Sequence, residues 1–434
     1  MRSLWLMKNL DALEVESFTT QPESLRIAIV TETFPPEVNG VAMTLGRIVD
    51  GIMARGHALQ VVRPRQTLDT INGPRPGIDE VLSRGIALPA YGELQFGLPA
   101  KGRLTKLWSD KRPDIVHVVT EGPLGWSAVA AARKLHLPIT SSFHTNFQSY
   151  TPHYGIGLLK SPIDSYLRKL HNRTRATLVP TKALIKELEQ RGYENLALLS
   201  RGVDTGLFSP KKRSVALRSS WNVGPEDLVV LLVGRLAKEK NVGLVVSAFR
   251  AIQTRSANAK LVFVGDGPMK KLMEEACPEA HFAGTRRGED LAAHYASSDL
   301  FLFPSLTETF GNVVPEALAS GLAVVAYDLA AAKELIESGR NGVLVAAGDE
   351  FAFVNSATEL AAQRSLCAEM RGIAVQSVSH LGWDAVYDSF LKILLGVLHN
   401  HGREFSTTAD FGAQSSANPR VQQRLSHSNM RPLL

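Results

Sequence analysis

The chain has 434 residues, of which 44% are hydrophobic, 7% aromatic and 21% charged. This composition supplies a full apolar core and excludes wholesale disorder, and at about 150 residues per domain the length predicts two or three domains. The 48 basic and 42 acidic residues leave a net charge of +6, which permits a local basic surface for anions but does not indicate a nucleic-acid-binding protein.

The first half of the chain alternates short apolar runs with helical patterns. Residues 1–24 show no sustained periodicity and predict a loose extension, whose apolar stretch Leu4–Met7 is too short for a signal sequence. Residues 25–31 form an apolar run typical of a buried parallel strand, and a loop rich in proline and glycine separates it from a helical pattern at 41–55. Further strands are predicted at 58–62, 114–119, 138–142, 176–179 and 196–199, and further helices at 123–135, 160–174 and 181–191.

The alternation stops at 201–214, which contains glycine, proline and a short basic run, and then starts again. Strands are predicted at 228–233, 260–264, 280–283, 299–303, 323–326 and 342–345, and helices at 241–256, 268–276, 288–296, 312–320, 349–376 and 382–398. This pattern predicts an α/β protein of two doubly wound, Rossmann-like domains, 25–205 and 206–380, that face a cleft. A helix at 381–400, expected to pack back toward the first domain, and a disordered tail at 401–434 complete the chain.

Two features bear on the cellular compartment. The cysteines, Cys277 and Cys367, provide neither a zinc cluster nor a disulfide framework. No apolar run approaches the roughly 20 residues that a membrane span requires. These observations predict a cytoplasmic protein.

The loops that follow the strands are the candidates for binding, because ligands of parallel sheets lie beyond the carboxyl ends of the strands. The segment Pro304–Gly321, PSLTETFGNVVPEALASG, contains Glu308 and Glu316, with Gly311 and Asn312 suited to a tight turn that opens a helix. Free amides at such a helix start favour a phosphate, and the carboxylates can accept hydrogen bonds from sugar hydroxyls. From the residues alone, two ordinary surface acids beside a helix cap explain the pattern equally well.

The loop GRLAKEKN at 234–241 places Arg235 and Lys240 at the edge of the second domain. A guanidinium and an ammonium beside a flexible glycine form a reasonable clamp for a diphosphate. The alternative is a solvated charged loop in which Glu239 pairs with these bases.

Two loops of the first domain complete the set. TETFPPEVNGV at 31–41 ends with Gly40 at a helix start, where bare amides suit an anion, although a plain turn is the alternative. SSFHTNF at 141–147 places His144 at the end of a strand, where an imidazole can bind a hydroxyl or simply be exposed. The GDGP loop at 265–268 lacks the G-x-G-x-x-G spacing and fails as a dinucleotide-binding fingerprint.

Together these loops resemble one family. PSLTETFGNVVPEALASG resembles the E-x7-E signature of retaining nucleotide-sugar glycosyltransferases of family 4, which have the GT-B fold of two Rossmann-like domains. GRLAKEKN, GDGP and FAGTRR at 282–287 occur in the expected order. TETFPPEVNGV, FHTNF and LSRGVDTGLFSP at 199–210 resemble the branch that contains GDP-mannose-dependent α-mannosyltransferases of glycolipid synthesis, and also sulfoquinovosyl-diacylglycerol synthases. The likeness covers about residues 25–398.

The resemblance implies a role for each motif residue. Arg235 and Lys240 would hold the donor diphosphate and support the leaving group, and Gly40 would let the backbone of the first domain approach the phosphates. Glu316 would bind the ribose hydroxyls, and Arg286 would lie near the base.

The donor sugar would be held by Glu308, by the backbone of Phe310, Gly311 and Asn312, and by His144. The family's reaction retains the anomeric configuration, and no dedicated protein nucleophile is identifiable. The D-x-D carboxylate pair of the other glycosyltransferase fold does not occur in the chain. We therefore expect neither a metal nor another cofactor, because basic side chains and helix amides can stabilise the charge that develops on the diphosphate.

The acceptor is indicated less directly. In 156–175, basic residues alternate with apolar ones, a pattern that can dock on an anionic membrane surface or belong to a solvated helix packed on the sheet. The resemblance to glycolipid enzymes favours a lipid-linked acceptor, with a glycan as the alternative, and a peripheral location on the cytoplasmic face of the inner membrane.

The sequence thus predicts a retaining, metal-independent glycosyltransferase that moves a hexose, foremost mannose from GDP-mannose, to a lipid-linked hydroxyl. One alternative is a glycolipid synthase that takes glucose, glucuronic acid or sulfoquinovose from a UDP-sugar. A nucleotide-sugar epimerase, a phosphorylase and a non-catalytic sugar-nucleotide-binding protein are the others. The chain has no obvious pyridoxal-phosphate lysine motif, which argues against a phosphorylase.

Overall fold

The computed structural model describes residues 24–37, 39–66, 69, 75–88, 91–144 and 160–415. Residues 1–23 of the expected extension and residues 416–434 of the expected tail lie outside this range.

Within the described residues, the first domain is built on a seven-stranded parallel sheet with the order β3-β2-β1-β6-β7-β8-β9. Its strands are β1 (Arg26–Val30), β2 (Ala58–Pro64), β3 (Ile78–Ser83), β6 (Ile115–Val118), β7 (Ile139–Ser142), β8 (Ala176–Val179) and β9 (Leu196–Leu198). An antiparallel hairpin is formed by β4 (Gly85–Leu88) and β5 (Tyr91–Gly97). The helices are α1 (Gly40–Ala54), α2 (Lys101–Asp110), α3 (Pro123–Lys134), α4 (Lys160–His171) and α5 (Lys182–Gln190).

The second domain has a six-stranded parallel sheet with the order β12-β11-β10-β13-β14-β15. Its strands are β10 (Val229–Val233), β11 (Lys260–Val264), β12 (His281–Gly284), β13 (Leu300–Phe303), β14 (Ala323–Tyr327) and β15 (Gly342–Val345). The helices from here to the carboxyl end are α6 (Val215–Ser220), α7 (Val242–Gln253), α8 (Lys270–Ala276), α9 (Gly288–Ala296), α10 (Val313–Ala319), α11 (Ala330–Leu335), α12 (Glu350–Ala362), α13 (Arg364–Ser377) and α14 (Trp383–Ser415).

Both sheets are buried on their two faces, which explains their continuous apolar sequences. All five residues of β10, VVLLV, are buried. Alternate residues of this strand belong to different apolar clusters, with Val230 in one and Leu231 in the other. Helices therefore cover each face of the sheet, and the expected pair of doubly wound domains is confirmed.

The main differences from the sequence-based expectation lie in 65–113 and in the last helices. β3, the β4–β5 hairpin and α2 occupy a stretch where no element was predicted, because its short segments of mixed polarity lack a clear period. The helix predicted at 349–376 is divided at Gln363, whose ψ of 70° is not helical. α14 continues to Ser415, past the expected end at residue 400, so the first part of the stretch expected to be disordered is helical.

Helix α14 follows the second domain in the chain but packs on the first. Tyr387, Phe390 and Leu394 join the apolar cluster that contains residues of β1 and α1. Gly51 on α1 permits the approach, because a Cβ at this position would lie 2.2 Å from the Tyr387 ring. The chain therefore crosses twice between the domains, and the crossings touch where the Val203 N–H donates to the carbonyl of Leu381 at 2.8 Å.

The strand order locates a crevice in each domain. The strand order reverses between β1 and β6 in the first sheet and between β10 and β13 in the second, so the chain winds in opposite directions on the two sides of these pairs. The loops that leave such a switch point diverge and open a binding crevice. The loops after β1, β10 and β13 carry most of the predicted site residues, whereas His144 and Arg286 follow β7 and β12. Across the described part of the chain, no helix combines the length and the apolar character needed to cross a membrane.

Candidate active site

The loops after β10 and β13 bring Lys240 and Glu308 together at the switch point of the second sheet. Lys240 Nζ donates to Glu308 Oε1, which also accepts from Ser305 Oγ at 2.9 Å. The two side chains are only 17% and 13% exposed. The lysine predicted to hold a diphosphate is therefore paired with the carboxylate predicted to hold a sugar.

Arg235 lies at the outer edge of the same loop. Its side chain is 45% exposed, and Nη1 lies 4.0 Å from Glu239 Oε1. Glu239 is only 6% exposed, whereas the guanidinium reaches solvent, so Arg235 can also approach an anionic ligand at the edge of the loop. The sequence left open whether Glu239 pairs with the basic residues of its loop. Arg235 forms this pair, whereas Lys240 Nζ contacts Glu308.

Phe310, Gly311 and Asn312 form the turn that leads into α10. Gly311 has a φ of 88°, in the left-handed region that favours glycine, which lets the backbone turn tightly after the strand. Phe310 is buried, and its carbonyl accepts from the amide of Ala331 at 2.7 Å. The turn is therefore held firmly against the second domain.

Glu316 lies in the first turn of α10, and its Oε2 accepts a hydrogen bond from the Tyr295 hydroxyl at 2.9 Å. Burial raises the pKa of Glu316 to about 7, and the Tyr295 bond opposes part of this shift. The carboxyl group is therefore partly protonated at neutral pH. Hydroxyl donors such as those of a ribose would favour its ionised form, which only accepts hydrogen bonds.

Gly40 and His144 of the first domain both lie close to Arg201, and Gly40 also lies close to Asn312 of the second domain. A Cβ at Gly40 would lie 3.9 Å from Arg201 Nη1 and 4.0 Å from Asn312 Nδ2. His144 Nδ1 lies 3.1 Å from Arg201 Nη2. Burial, together with the positive charge of Arg201, lowers the pKa of His144 well below its usual value, so the imidazole is neutral.

Arg201, which contacts both first-domain residues, was missed by the sequence-based prediction. It stands in the quoted segment LSRGVDTGLFSP, but a single arginine in an interdomain connection has no period that would mark it as buried. Its burial depends on loops from both domains. Its position at the start of that connection was the only available signal.

Arg286 stands apart from these residues. It follows β12, the strand at the edge of the second sheet, and its side chain is 41% exposed. Its Nη1 donates to Asp290 Oδ2 at 3.1 Å on α9. The structure thus places Arg286 two strands from the strand that precedes Lys240 and three strands from the one that precedes Glu308.

The basic and apolar stretch at 156–175 packs as a helix on the sheet over its described part. Residues 156–159 lie outside the described residues. In α4, Leu167 and Leu170 are buried in the first domain, so these apolar residues cannot face lipid. Arg168 forms an ion pair with Asp164 at 3.8 Å. Within the described residues 160–175, these two leucines of the amphipathic pattern therefore serve the domain core, whereas Tyr166, Lys169, Arg173 and Arg175 are exposed.

Comparisons with known proteins match both domains. A family model described as Glycosyl transferases group 1 matches residues 227–363, and one described as Glycosyltransferase Family 4 matches residues 38–207. A GDP-mannose-dependent alpha-mannosyltransferase from Corynebacterium glutamicum is 34% identical over 85% of this chain and 88% of its own length. The protein belongs to the family 4 glycosyltransferases.

Two further proteins are similar to this glycosyltransferase. A sulfoquinovosyl transferase from Arabidopsis thaliana is 33% identical over 78% of this chain and 68% of its own length. The crystal structure of an Anabaena protein in complex with UDP covers 86% of this chain and 100% of its own, with a TM-score of 0.69 and 19% identity. At that identity the second likeness shows the fold alone, which is the GT-B arrangement of two Rossmann-like domains.

Proposed function

We propose that this glycosyltransferase moves mannose from GDP-mannose to a hydroxyl of a lipid-linked acceptor, with retention of configuration and without a metal ion. The observation that carries the proposal is the Lys240–Glu308 pair at the switch point. The segment that supplies Glu308 continues to Glu316 on α10, and its Asn312 lies close to Gly40 of the first domain. The 34% identical mannosyltransferase supports the choice of donor, because its likeness spans both domains. Similarity to lipid glycosyltransferases supports the choice of acceptor.

The two basic side chains account for the chemistry of the leaving group. Negative charge grows on the diphosphate as its bond to the sugar breaks, and Arg235 and Lys240 stabilise that charge in a partly buried site. Lys240 exchanges Glu308 for a phosphate oxygen when the donor binds. Glu308 is then released to accept hydrogen bonds from the sugar, so diphosphate and sugar binding are coupled.

Retention follows from attack on the face that the diphosphate leaves. The acceptor oxygen forms a bond to the anomeric carbon while the bond from that carbon to the phosphate oxygen breaks. The departing phosphate oxygen takes the proton of the acceptor hydroxyl, so no protein nucleophile is required.

The proposal is tested by measuring nucleotide release and labelled lipid product with a lipid extract as acceptor. GDP-mannose, UDP-glucose, UDP-glucuronic acid and UDP-sulfoquinovose are compared in the presence of a chelator. We expect mannose to be transferred from GDP-mannose at the same rate with and without the chelator, and the product to be α-linked. Transfer that requires added metal, or a β-linked product, contradicts the corresponding part of the proposal.

The site assignment is tested with Arg235→Ala, for which we expect kcat/KM to fall at least about 100-fold, as when one preorganised charge-stabilising group is removed. Arg340→Ala is the matched control, because Arg340 is an arginine of the same domain that is 66% exposed and pairs with Glu337. Activity of Arg235→Ala within twofold of the control would show that the diphosphate binds elsewhere.

The second candidate is a glycolipid synthase that uses a UDP-sugar. The 33% identical sulfoquinovosyl transferase favours it. Release of UDP with formation of a lipid product, and no reaction with GDP-mannose, would establish it. Isomerisation of the donor without any transfer would instead indicate an epimerase.

A further inference from the structure

Arg201 contacts α1, His144 and the turn that precedes α10. Its Nη1 lies 3.1 Å from Thr44 Oγ1 and 3.3 Å from the carbonyl of Gly40, both on α1. The same nitrogen lies 3.4 Å from Asn312 Oδ1 in the second domain, and the guanidinium lies 5.8 Å from the centre of the Phe310 ring. One side chain thus joins the first helix of the first domain to the turn that opens α10.

The guanidinium is a buried cation with neutral hydrogen-bond partners. Arg201 is 7% exposed, and among the described residues its partners are two side-chain oxygens, one carbonyl and one imidazole. Burial lowers its pKa to about 10, and the negative charge of Glu308 opposes this shift. Arg201 is therefore still charged at neutral pH, at a cost in folding free energy that a neutral side chain would avoid.

The charge of Arg201 determines where His144 carries its proton. A guanidinium has five N–H donors and no acceptor, so a ring nitrogen 3.1 Å from Nη2 has to accept. His144 Nδ1 is therefore unprotonated, and the neutral ring holds its proton on Nε2. Among the described residues, Arg201, His117 and His171 are the charged or titratable groups that act on this ring, and each disfavours its protonation.

We propose that Arg201 is a positioning residue that fixes His144 as an Nε2–H donor and holds the Gly40 end of α1 against Asn312. This inference rests on the proposed function, because the expected partner of the His144 donor is a hydroxyl of the donor sugar. His144 then orients the sugar and takes no proton from the acceptor. The same guanidinium holds the two domains in register while His144 and Glu308 bind one sugar from opposite sides.

The tautomer is measured without any substrate. Nitrogen-15 spectra of protein labelled at histidine report which ring nitrogen carries the proton, and His144→Gln identifies the His144 signal by its loss. We expect the wild-type ring to be neutral and protonated on Nε2 from pH 5.5 to 8. A signal with the proton on Nδ1 overturns the proposal, whatever the donor proves to be.

Variants at position 201 separate positioning from simple structural support. Arg201→Met removes every donor, so we expect His144 to lose its single tautomer and kcat to fall about 100-fold, as for a misplaced reacting group. Arg201→Lys keeps a charged donor and is expected to restore the Nε2–H tautomer and part of kcat. Arg47→Met is the control, because Arg47 also joins α1 to this connection, through Asp204 at 3.0 Å, without contacting His144.

An unchanged His144 spectrum with kcat within twofold of wild type in Arg201→Met overturns the proposal. An equal loss of kcat in Arg47→Met also overturns it, because any weakening of the interdomain contact would then suffice. If Arg201→Met does not fold, the wild-type spectrum and the comparison of Arg201→Lys with Arg47→Met decide. Failure of transfer with GDP-mannose alone affects only the proposed function, since the spectra need no donor and kcat is measured with whichever donor is used.

Discussion

At the scale of single residues, Glu316 shows how burial prepares a carboxyl group for a particular ligand. Its side chain lies beside the Tyr295 hydroxyl at the start of α10, and its pKa is about 7. An ordinary exposed glutamate is fully ionised at neutral pH, so binding a diol would not change its proton occupancy. In this site, Glu316 is protonated in part of the protein molecules. A ligand hydroxyl that donates a hydrogen bond to the carboxylate has to displace that proton from them.

We therefore predict that donor binding releases protons near pH 7. Hydroxyl donors stabilise ionised Glu316, so its pKa falls on binding and a fraction of a proton leaves per site at pH 7. The apparent dissociation constant is expected to rise as the pH falls below 7, because the protonated carboxyl predominates there. Calorimetry with GDP-mannose in two buffers of different ionisation enthalpy measures the released protons.

Glu316→Gln is the control for this prediction, because an amide does not titrate. Proton release that persists in Glu316→Gln would assign the linkage to another group. GDP-mannose is the suitable ligand, because its diphosphate is esterified at both ends and does not itself titrate in this range.

The residues of the site differ in how far the sequence could reveal them. Glu308, Arg235 and Lys240 are predicted from the sequence because they occupy loops at the ends of strongly apolar strands, where position in a parallel sheet predicts binding, and Glu316 because it lies in the first turn of the helix that follows such a loop. Arg201 was not found, because its role arises from loops of both domains that meet only in the folded chain.

At the scale of elements, strands with a clear sequence pattern were also easier to predict than strands without one. Strands β10 to β15 were predicted within about two residues, because burial on both faces makes each a continuous apolar run. β3 is only partly buried, and the β4–β5 hairpin exposes Ile86 and Phe96, so neither shows the pattern of a core strand. The end of α14 was placed too early because its last part has few large apolar residues.

The contact between α1 and α14 gives a prediction about stability. Gly51→Ala would place a methyl group 2.2 Å from the Tyr387 ring, so one of the two helices has to move. We expect the free energy of unfolding to fall by about 1–3 kcal/mol, as is typical of an overpacked core. Urea unfolding followed by circular dichroism measures the change.

Gly396→Ala is the matched control on α14 itself. No other atom lies within 4 Å of a Cβ built there, so the substitution is expected to stabilise the helix by up to about 1 kcal/mol. A Gly51→Ala variant as stable as Gly396→Ala would show that α14 is not packed closely on α1.

At the scale of the whole molecule, the modest net charge of +6 conceals an asymmetry between the domains. Residues 25–205 contain 23 basic and 15 acidic residues, a net charge of +8, whereas residues 206–380 contain 18 and 19, a net charge of −1. Leu167 and Leu170 of α4 are buried and cannot insert into a membrane, so the first domain offers its positive charge to an anionic membrane surface instead. Attraction of this kind contributes about 1 kcal/mol per basic residue at the surface and is screened by salt.

We therefore predict that the protein binds anionic vesicles through its first domain and leaves them at high salt. Co-sedimentation with vesicles containing about one third phosphatidylglycerol is expected at low ionic strength, with release at about 0.5 M salt and no binding to phosphatidylcholine alone.

A first triple variant reverses exposed charges on α2, Lys101→Glu, Arg103→Glu and Lys106→Glu. A control triple variant reverses exposed charges on the second domain, Arg255→Glu, Lys271→Glu and Arg340→Glu. Only the first triple variant is expected to abolish vesicle binding, because only its substitutions lie on the first domain. Equal loss of binding in both variants would mean that the total charge of the protein, and not the surface of the first domain, governs the attraction.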